Sequence, residues 1–419
     1  MRCSRMRRIL FVTRNFPTDF GTAVYGSFQR LRMLLDAAAS VAEGLDLLFF
    51  VDEHIYENIN TKSFAAALRS HWGIDARIIF GTLGSRAVNQ YNTYLSPMWN
   101  ICNQDAFASS SGARQVRTLE GCISDETDLI VAHRLDMALA VRKIKGRCPP
   151  AVMDLDDVEH IKFARGLGRP SHWKGRYLQY LHVPAFLVGE IATVRAFTKT
   201  FVCSDKDRNY LRRLTLGADV EVVPNGVIFP ISEDCGESNS NSLLFIGSYT
   251  YAPNIEAAEL LLNNIFPIVR ELMPTAHLLI AGNQVERLPS FGREFSGVEF
   301  VGFVQNVSEL YRRVSVVCCP IQWGGGTRIK IIEAAAHGKP VVSTTLGAEG
   351  LEFEDLSEIL LCDDPQTFAR ACVDLLVDHV RARTIGEKAR LRAKPFDREY
   401  VVSQISAIYR EAANGRISE

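Results

Sequence analysis

Short aliphatic and β-branched runs recur through the second half of the chain: LLFIGS (243–248), HLLIAG (277–282), VEFVGFV (298–304), VSVVCCP (314–320), PVVSTT (340–345) and EILLCDD (358–364). Stretches of helical period lie between them. Over 254–273, Ala258, Leu261, Leu262, Ile265, Ile268, Val269 and Leu272 follow the i, i+3, i+4 spacing of one buried helix face. Continuous apolar strands alternating with helices predict a parallel sheet covered on both sides. The first half repeats the theme less regularly: RRILFVTR, LDLLFFVD, ARIIFG, DLIVAH, AVMDLDD and KTFVCSD read as strands, FQRLRMLLDAAA and DRNYLRRL as helices. Between the halves, VVPNGV and then GESNSNS (236–242) read as a hinge and linker. The expectation is an α/β chain of two doubly wound, Rossmann-like domains, 1–226 and 227–395, with a C-terminal helix within 396–419. Such sheets bind ligands at the C-terminal ends of their strands, so two that face each other would enclose a cleft.

Composition narrows the class without naming it. The chain has 419 residues, is 47% apolar and carries a net charge of −1. That suits a globular protein of about two to three domains, and no basic excess points to nucleic acid. The basic N-terminus, MRCSRMRR, is followed by an apolar run (ILFV) too short for a signal peptide or a membrane span. The ten cysteines form no CxxC pair, and Cys318 and Cys319 fall inside an apolar run, so they read as thiols of a reducing, cytoplasmic compartment.

The most informative stretch is WGGGTRIKIIEAAAHGKPVVSTT, Trp323 to Thr345. Gly324, Gly325 and Gly326 follow an apolar strand and precede a helix of roughly 327–337. Gly338 and Pro340 close that helix, and Thr327 is read as its N-cap. A glycine loop feeding a helix N-terminus presents free N–H groups and a partial positive charge, which suits an anion. Arg328 and Lys330 oppose the macrodipole there, a conflict that a bound diphosphate would relieve. Glu333, further along, could accept hydrogen bonds from sugar hydroxyls. Without a ligand the same residues would be a solvated helix end. In FIGSYTYAPNIEAAELL, Gly247 and Ser248 end a strand and Asn254 is read as a second N-cap. In the first half, Gly21, Thr22 and Gly26 mark the entry from NFPTDFGTAVYGSFQRL into a helix, without the GxGxxG of a dinucleotide site.

GGGTRIKIIEAAAHGKPVVSTTLGAEGL resembles the donor-site motif of the family 4-type (group 1) glycosyltransferases of GT-B fold. VVPNGV, FIGSYTYAPNIEAA, VEFVGFVQNVSELY and SDKDRNYL extend the resemblance, and DLDDVEH (154–160) is similar to a bacterial exopolysaccharide-type subset. The resemblance implies a retaining, metal-independent transfer from a nucleotide-diphosphate sugar, of UDP or GDP type, to a glycan or lipid-linked acceptor in polysaccharide synthesis. It implies no cofactor beyond that co-substrate. It implies Glu333 at the ribose, Thr327, Arg328 and the glycine loop at the diphosphate, Gly21 near the phosphates, and backbone near Val304 at the base. It also implies that the C-terminal helix crosses back to the first domain.

This sequence departs from the family at three places. Many members carry an acid eight positions before the Glu333 equivalent, and here Gly325 stands there. Many carry an Arg and a Lys in the loop that here holds Ser248, Tyr249 and Asn254, so Arg328 and Lys330 are taken to supply that charge. A first-domain strand that often ends in histidine ends here in MDLDDVEH. Asp154 or Asp156 is therefore expected at the reaction centre, with His133 as a further candidate. A DxD metal site and a helix N-terminus with first-turn acids are the competing readings of that acidic cluster. The aromatic and basic stretch 169–196 suggests peripheral contact with the inner membrane face. A sugar-nucleotide epimerase and a degenerate nucleotide-sugar-binding subunit stand as the alternatives.

Overall fold

A computed structural model describes residues 5–23, 26–84, 98, 101–102, 107, 110–146, 148–167, 177–230 and 240–415. The chain divides into two compact units: 1–23, 27–224 and 402–419 form the first, 24–26 and 225–401 the second. The first is built on seven parallel strands: β1 (Met6–Thr13), β2 (Ala42–Val51), β3 (Arg77–Thr82), β4 (Thr127–His133), β5 (Ala151–Asp156), β6 (Lys199–Val202) and β7 (Val220–Val222). Their order is β3-β2-β1-β4-β5-β6-β7. The second has six: β8 (Ser242–Ile246), β9 (His277–Ala281), β10 (Val298–Gly302), β11 (Val316–Cys319), β12 (Val341–Ser343) and β13 (Leu360–Leu361), in the order β10-β9-β8-β11-β12-β13. All pairings are parallel, as the sequence predicts.

Strand order reverses between β1 and β4 in the first unit and between β8 and β11 in the second. The crevice beyond the strand ends at such a point is where doubly wound sheets receive ligands. The residues singled out from sequence cluster after these strands: Gly247 after β8, the glycine triplet after β11, and His133 at the end of β4.

The central strands are apolar because helices cover both faces. Every residue of β5 and of β11 is buried. Helix Gly26–Val41 buries Phe28, Leu31, Leu34, Leu35 and Ala38, and with them one charge, Arg30. Helix 254–273 is in fact three segments: Ala252–Leu260, a π-turn at Leu261–Ile265, and Phe266–Leu272. Pro267 has no N–H to return to the preceding turn, and the wider π-turn absorbs the break. In the second unit Val227 donates to the Phe396 carbonyl and accepts from the Arg398 N–H. In the first, Tyr409 of helix Arg398–Asn414 stacks on Phe201 of β6 at 5.9 Å, and Glu411 pairs with Lys199 at 3.0 Å. Linker residues 236–239 and segment 169–176 lie outside the described residues.

Candidate functional site

In the second unit, the glycine loop leads into helix Ile329–Ala336. Arg328, not Thr327, holds the N-cap position, and no side chain caps it. Thr327 is drawn aside because its hydroxyl accepts from Asn225 Nδ2 at 3.1 Å. Buried Arg328 folds back on the loop, donating to the carbonyls of Gly325 and Gly326. Its Nε has no hydrogen-bond partner among the described residues. Gly324 adopts φ 115°, a conformation that suits glycine, and a side chain there would strike the Tyr251 hydroxyl at 2.6 Å.

Lys330 reaches out of the same helix to the Gly247 loop. Its ammonium lies 2.9 Å from Asn254 Oδ1 and 4.1 Å above the Phe245 ring. Asn254 in turn donates from Nδ2 to the Ser248 carbonyl at 2.9 Å. Helix Ala252–Leu260 begins after Tyr251, so Asn254 sits inside the first turn and is not the cap. Burial, with Arg328 nearby, lowers Lys330 to about 8. Gly247 and Gly282 close the floor of this region. A β-carbon on Gly247 would meet Asn254 at 2.9 Å, and one on Gly282 would run into the Gly247 carbonyl. Ser248 Oγ is shared with Thr250 Oγ1 at 2.9 Å.

Glu333 is half-buried, and Tyr311 donates its phenolic hydrogen to Oε2 at 3.3 Å. Burial and the nearby Glu333 raise the Tyr311 phenol well above its usual range, so it remains a donor. Tyr311 stacks on His337 at 4.5 Å, and His337 bonds the Glu333 carbonyl and Ser308 Oγ. That scaffold fixes the carboxylate at one height along the helix. Val304 follows β10 and packs, half-buried, against the core of the unit.

In the first unit, the loop after β1 is anchored by aromatic rings: Phe16 stacks on Phe64 at 4.9 Å and Phe20 meets Trp72 edge-on at 5.2 Å. Asp19 organises its turn, accepting from the Gly21 N–H at 2.9 Å and the Thr22 hydroxyl at 3.0 Å. At the strand ends, Asp154 is fully buried, and both its oxygens accept from Arg30, also buried, at 2.5–3.0 Å. Arg30 further donates to the Val223 carbonyl at 3.0 Å. Asp156 keeps a small exposed surface, and its φ of 63° is strained for a non-glycine residue. It pairs with Arg134 at 2.7 Å, itself at φ 77°. Burial works against the charge of Asp156, yet Arg134 and Arg30 hold it below the usual carboxylate range.

His133 is fully buried. Its Nδ1 lies 2.8 Å from Thr13 Oγ1, which already accepts from the Asn15 N–H. Burial, then Arg134, push the imidazole well below its usual range, so it is neutral. Its Nε2, 3.7 Å from Asp154 Oδ2, has no hydrogen-bond partner among the described residues. Two guanidinium groups face the 154–156 carboxylates, a poor setting for a divalent ion. Among the described residues no group of three or more His, Cys, Asp or Glu side chains is arranged to hold a metal.

Sequence reasoning passed over Arg30, Arg134, Tyr251 and Tyr311. Only Arg30 carried a signal: a charge on the apolar stripe of a helix requires a buried partner.

Residues 240–378 match the family model described as Glycosyl transferases group 1. A phosphatidyl-myo-inositol mannosyltransferase of Mycobacterium tuberculosis is 28% identical over 265 residues, 59% of this chain and 63% of the relative. The corresponding Mycobacterium leprae protein is 29% identical over 210 residues, 47% of this chain and 55% of its own. The chain thus spans less than two thirds of the length of the curated relatives it matches. Sucrose-phosphate synthase from Thermosynechococcus elongatus superposes with a TM-score of 0.66 at 18% identity, covering 97% of this chain and 98% of that one. Anabaena HepE, in complex with UDP-glucose, does so with a TM-score of 0.62 at 16% identity, covering 96% and 98%. Residues 240–378 are thus similar to the glycosyl transferases group 1 family, and the two parallel sheets have the GT-B fold of these solved structures.

Proposed function

We propose that this chain is a retaining glycosyltransferase that moves a sugar from a nucleotide-diphosphate sugar to a glycan or lipid-linked acceptor, without a metal ion. The observation that carries the reading is the arrangement beyond β8 and β11: a glycine loop shaped by Arg328, the ammonium of Lys330 beside the Gly247 loop, and Glu333 braced by Tyr311. Lys330 and the N–H groups opening helix Ile329–Ala336 meet the diphosphate and stabilise its charge as it departs. Glu333 accepts from the ribose hydroxyls. Gly21, Thr22 and backbone near Val304 complete the donor contacts in this reading.

On the acceptor side, Asp156, which keeps a small exposed surface, acts nearest the reacting sugar, and the buried His133 and Asp154 act behind it, Asp154 through Arg30. The mannosyltransferase relatives are named for a phosphatidyl-inositol acceptor, which supports a lipid-linked acceptor here. Tyr180 and Leu181, each more than two-fifths exposed, would rest on the inner membrane face. No helix among the described residues is long and apolar enough to cross a membrane.

The test is product analysis. The protein is incubated with UDP-glucose or GDP-mannose, with phosphatidylinositol or water as acceptor, and the first-formed anomer is followed by NMR. The expected product keeps the donor's anomeric configuration, with and without EDTA. An inverted product would overturn the retaining reading. An epimerised nucleotide sugar would favour the epimerase, and binding without turnover a degenerate subunit.

A further inference from the structure

A buried carboxylate is costly unless something donates to it. Glu190, on helix Val183–Ala196, is fully buried, and among the described residues no lysine or arginine pairs with it. Its partners belong to the first turn of helix Glu159–Leu167. Oε1 accepts from the Glu159 N–H at 2.9 Å, and Oε2 bonds His160 Nδ1. His160, itself buried, uses its other nitrogen as well: Nε2 lies 2.7 Å from the hydroxyl of Tyr210, on helix Asp205–Thr215. Burial, then Glu190, raise the Tyr210 phenol, so it keeps its hydrogen. Three helices thus meet in one carboxylate–imidazole–phenol chain.

The chain stands where two neighbouring strands of the first sheet pass into helices. Only Asp157 and Val158 separate β5 from helix Glu159–Leu167, and only Cys203 and Ser204 separate β6 from helix Asp205–Thr215. Asp156, at the end of β5, has the strained φ of 63°, and its Oδ1 accepts from the Cys203 thiol at 2.9 Å. The Asp157 N–H turns back to the Leu155 carbonyl at 2.8 Å. A short, strained turn keeps its shape only while its surroundings over-determine it. The sheet holds one end. Glu190 holds the other through the Glu159 N–H, and His160 and Tyr210 hold Glu190.

We infer that Glu190 and His160, with Tyr210 behind them, are positioning residues that fix the turn 155–159 and so the direction of Asp156. The three act through the turn and not on the sugar. That the turn serves an acceptor rests on the reading of Asp156 as the carboxylate nearest the reacting sugar; that the chain fixes the turn rests on its geometry alone. A general brace of the first unit would instead act on all its strands alike.

The experiment follows amide hydrogen exchange by mass spectrometry in the full chain, in Tyr210→Phe and in His160→Leu, together with acceptor kinetics. Tyr210→Phe removes one hydroxyl and keeps the ring, whereas His160→Leu also takes the imidazole from Glu190. The expected result is exchange of amides 156–160 about three- to tenfold faster in Tyr210→Phe and more than about tenfold faster in His160→Leu, with the amides of β1 and β2 unchanged. With UDP-glucose or GDP-mannose as donor and phosphatidylinositol as acceptor, KM for phosphatidylinositol should rise by a similar factor while the Kd of the donor stays the same. Unchanged exchange at 156–160 in Tyr210→Phe would overturn the inference, even if His160→Leu fails to fold. Acceleration spread evenly over the first unit would overturn it too, and so would faster exchange at the turn with an unaltered KM. Failure of the unsubstituted protein to transfer sugar at all would refute the parent reading, and exchange at 156–160 would then decide by itself whether the chain fixes the turn.

Discussion

Arg30→Met is expected to destabilise the first unit by about 3–5 kcal/mol, because it leaves the Asp154 carboxylate buried without its cation. Arg30 is 1% exposed and Asp154 0%. Three hydrogen bonds of 2.5–3.0 Å join them. Water has no ready access to solvate either group once the other is removed. Asp154→Leu should cost less, since Asp156 Oδ1, 3.5 Å from Arg30 Nε, still faces the guanidinium. The double variant Arg30→Met/Asp154→Leu should recover most of the loss, because matched apolar replacement of a buried pair is often close to neutral. Thermal melting together with hydrogen exchange at the β5 amides reads this out. Two single losses that simply add in the double variant would show that the pair is not coupled, contrary to the geometry.

Lys330→Met is expected to weaken binding of nucleotide sugars about 10- to 100-fold at neutral pH, the scale of one charge-assisted hydrogen bond in a partly buried site. The loss should have a pH signature. Burial is the main reason Lys330 falls to about 8, with Arg328 adding to it, while Cys319 and Glu333 pull the other way. Below about pH 8 the ammonium is charged and can meet the diphosphate. As pH rises through that value it loses its proton and the attraction fades. Binding an anion raises the lysine's pKa, so affinity should fall between about pH 8 and pH 10 in the natural protein. Lys330→Met should bind weakly with little change across the same interval. Isothermal titration calorimetry at pH 7, 8 and 9 makes the comparison. A parallel pH dependence in both proteins would remove Lys330 from the account.

The two predictions differ in how far sequence could have led to them. Lys330 was legible: three glycines before a helix, followed by cations where the macrodipole disfavours them, leave an imbalance that asks for an anion. The strands were legible for a similar reason. Burial on both faces turns β8, β9 and β11 into unbroken apolar runs, which alternation alone would not produce. The strand β7, only Val220–Val222 at the sheet edge, has too few residues to carry such a pattern. The cap of helix Ile329–Ala336 was misread because Thr327 is taken up by Asn225, 102 positions away. Arg30 and Asp154 are 124 positions apart, and His160 and Tyr210 are 50 apart. Local spacing holds no record of such pairs; the fold alone brings them together.

The central claim is that the crevice beyond β8 and β11 holds a nucleotide-diphosphate sugar with Glu333 on its ribose. The most direct measurement is calorimetric titration of UDP, GDP, ADP and their sugars into the natural protein and into Glu333→Ala. The account predicts that one nucleotide series binds selectively and that Glu333→Ala weakens it about tenfold or more. Binding of that series with equal strength by Glu333→Ala, or no binding of any series by the natural protein, would contradict it.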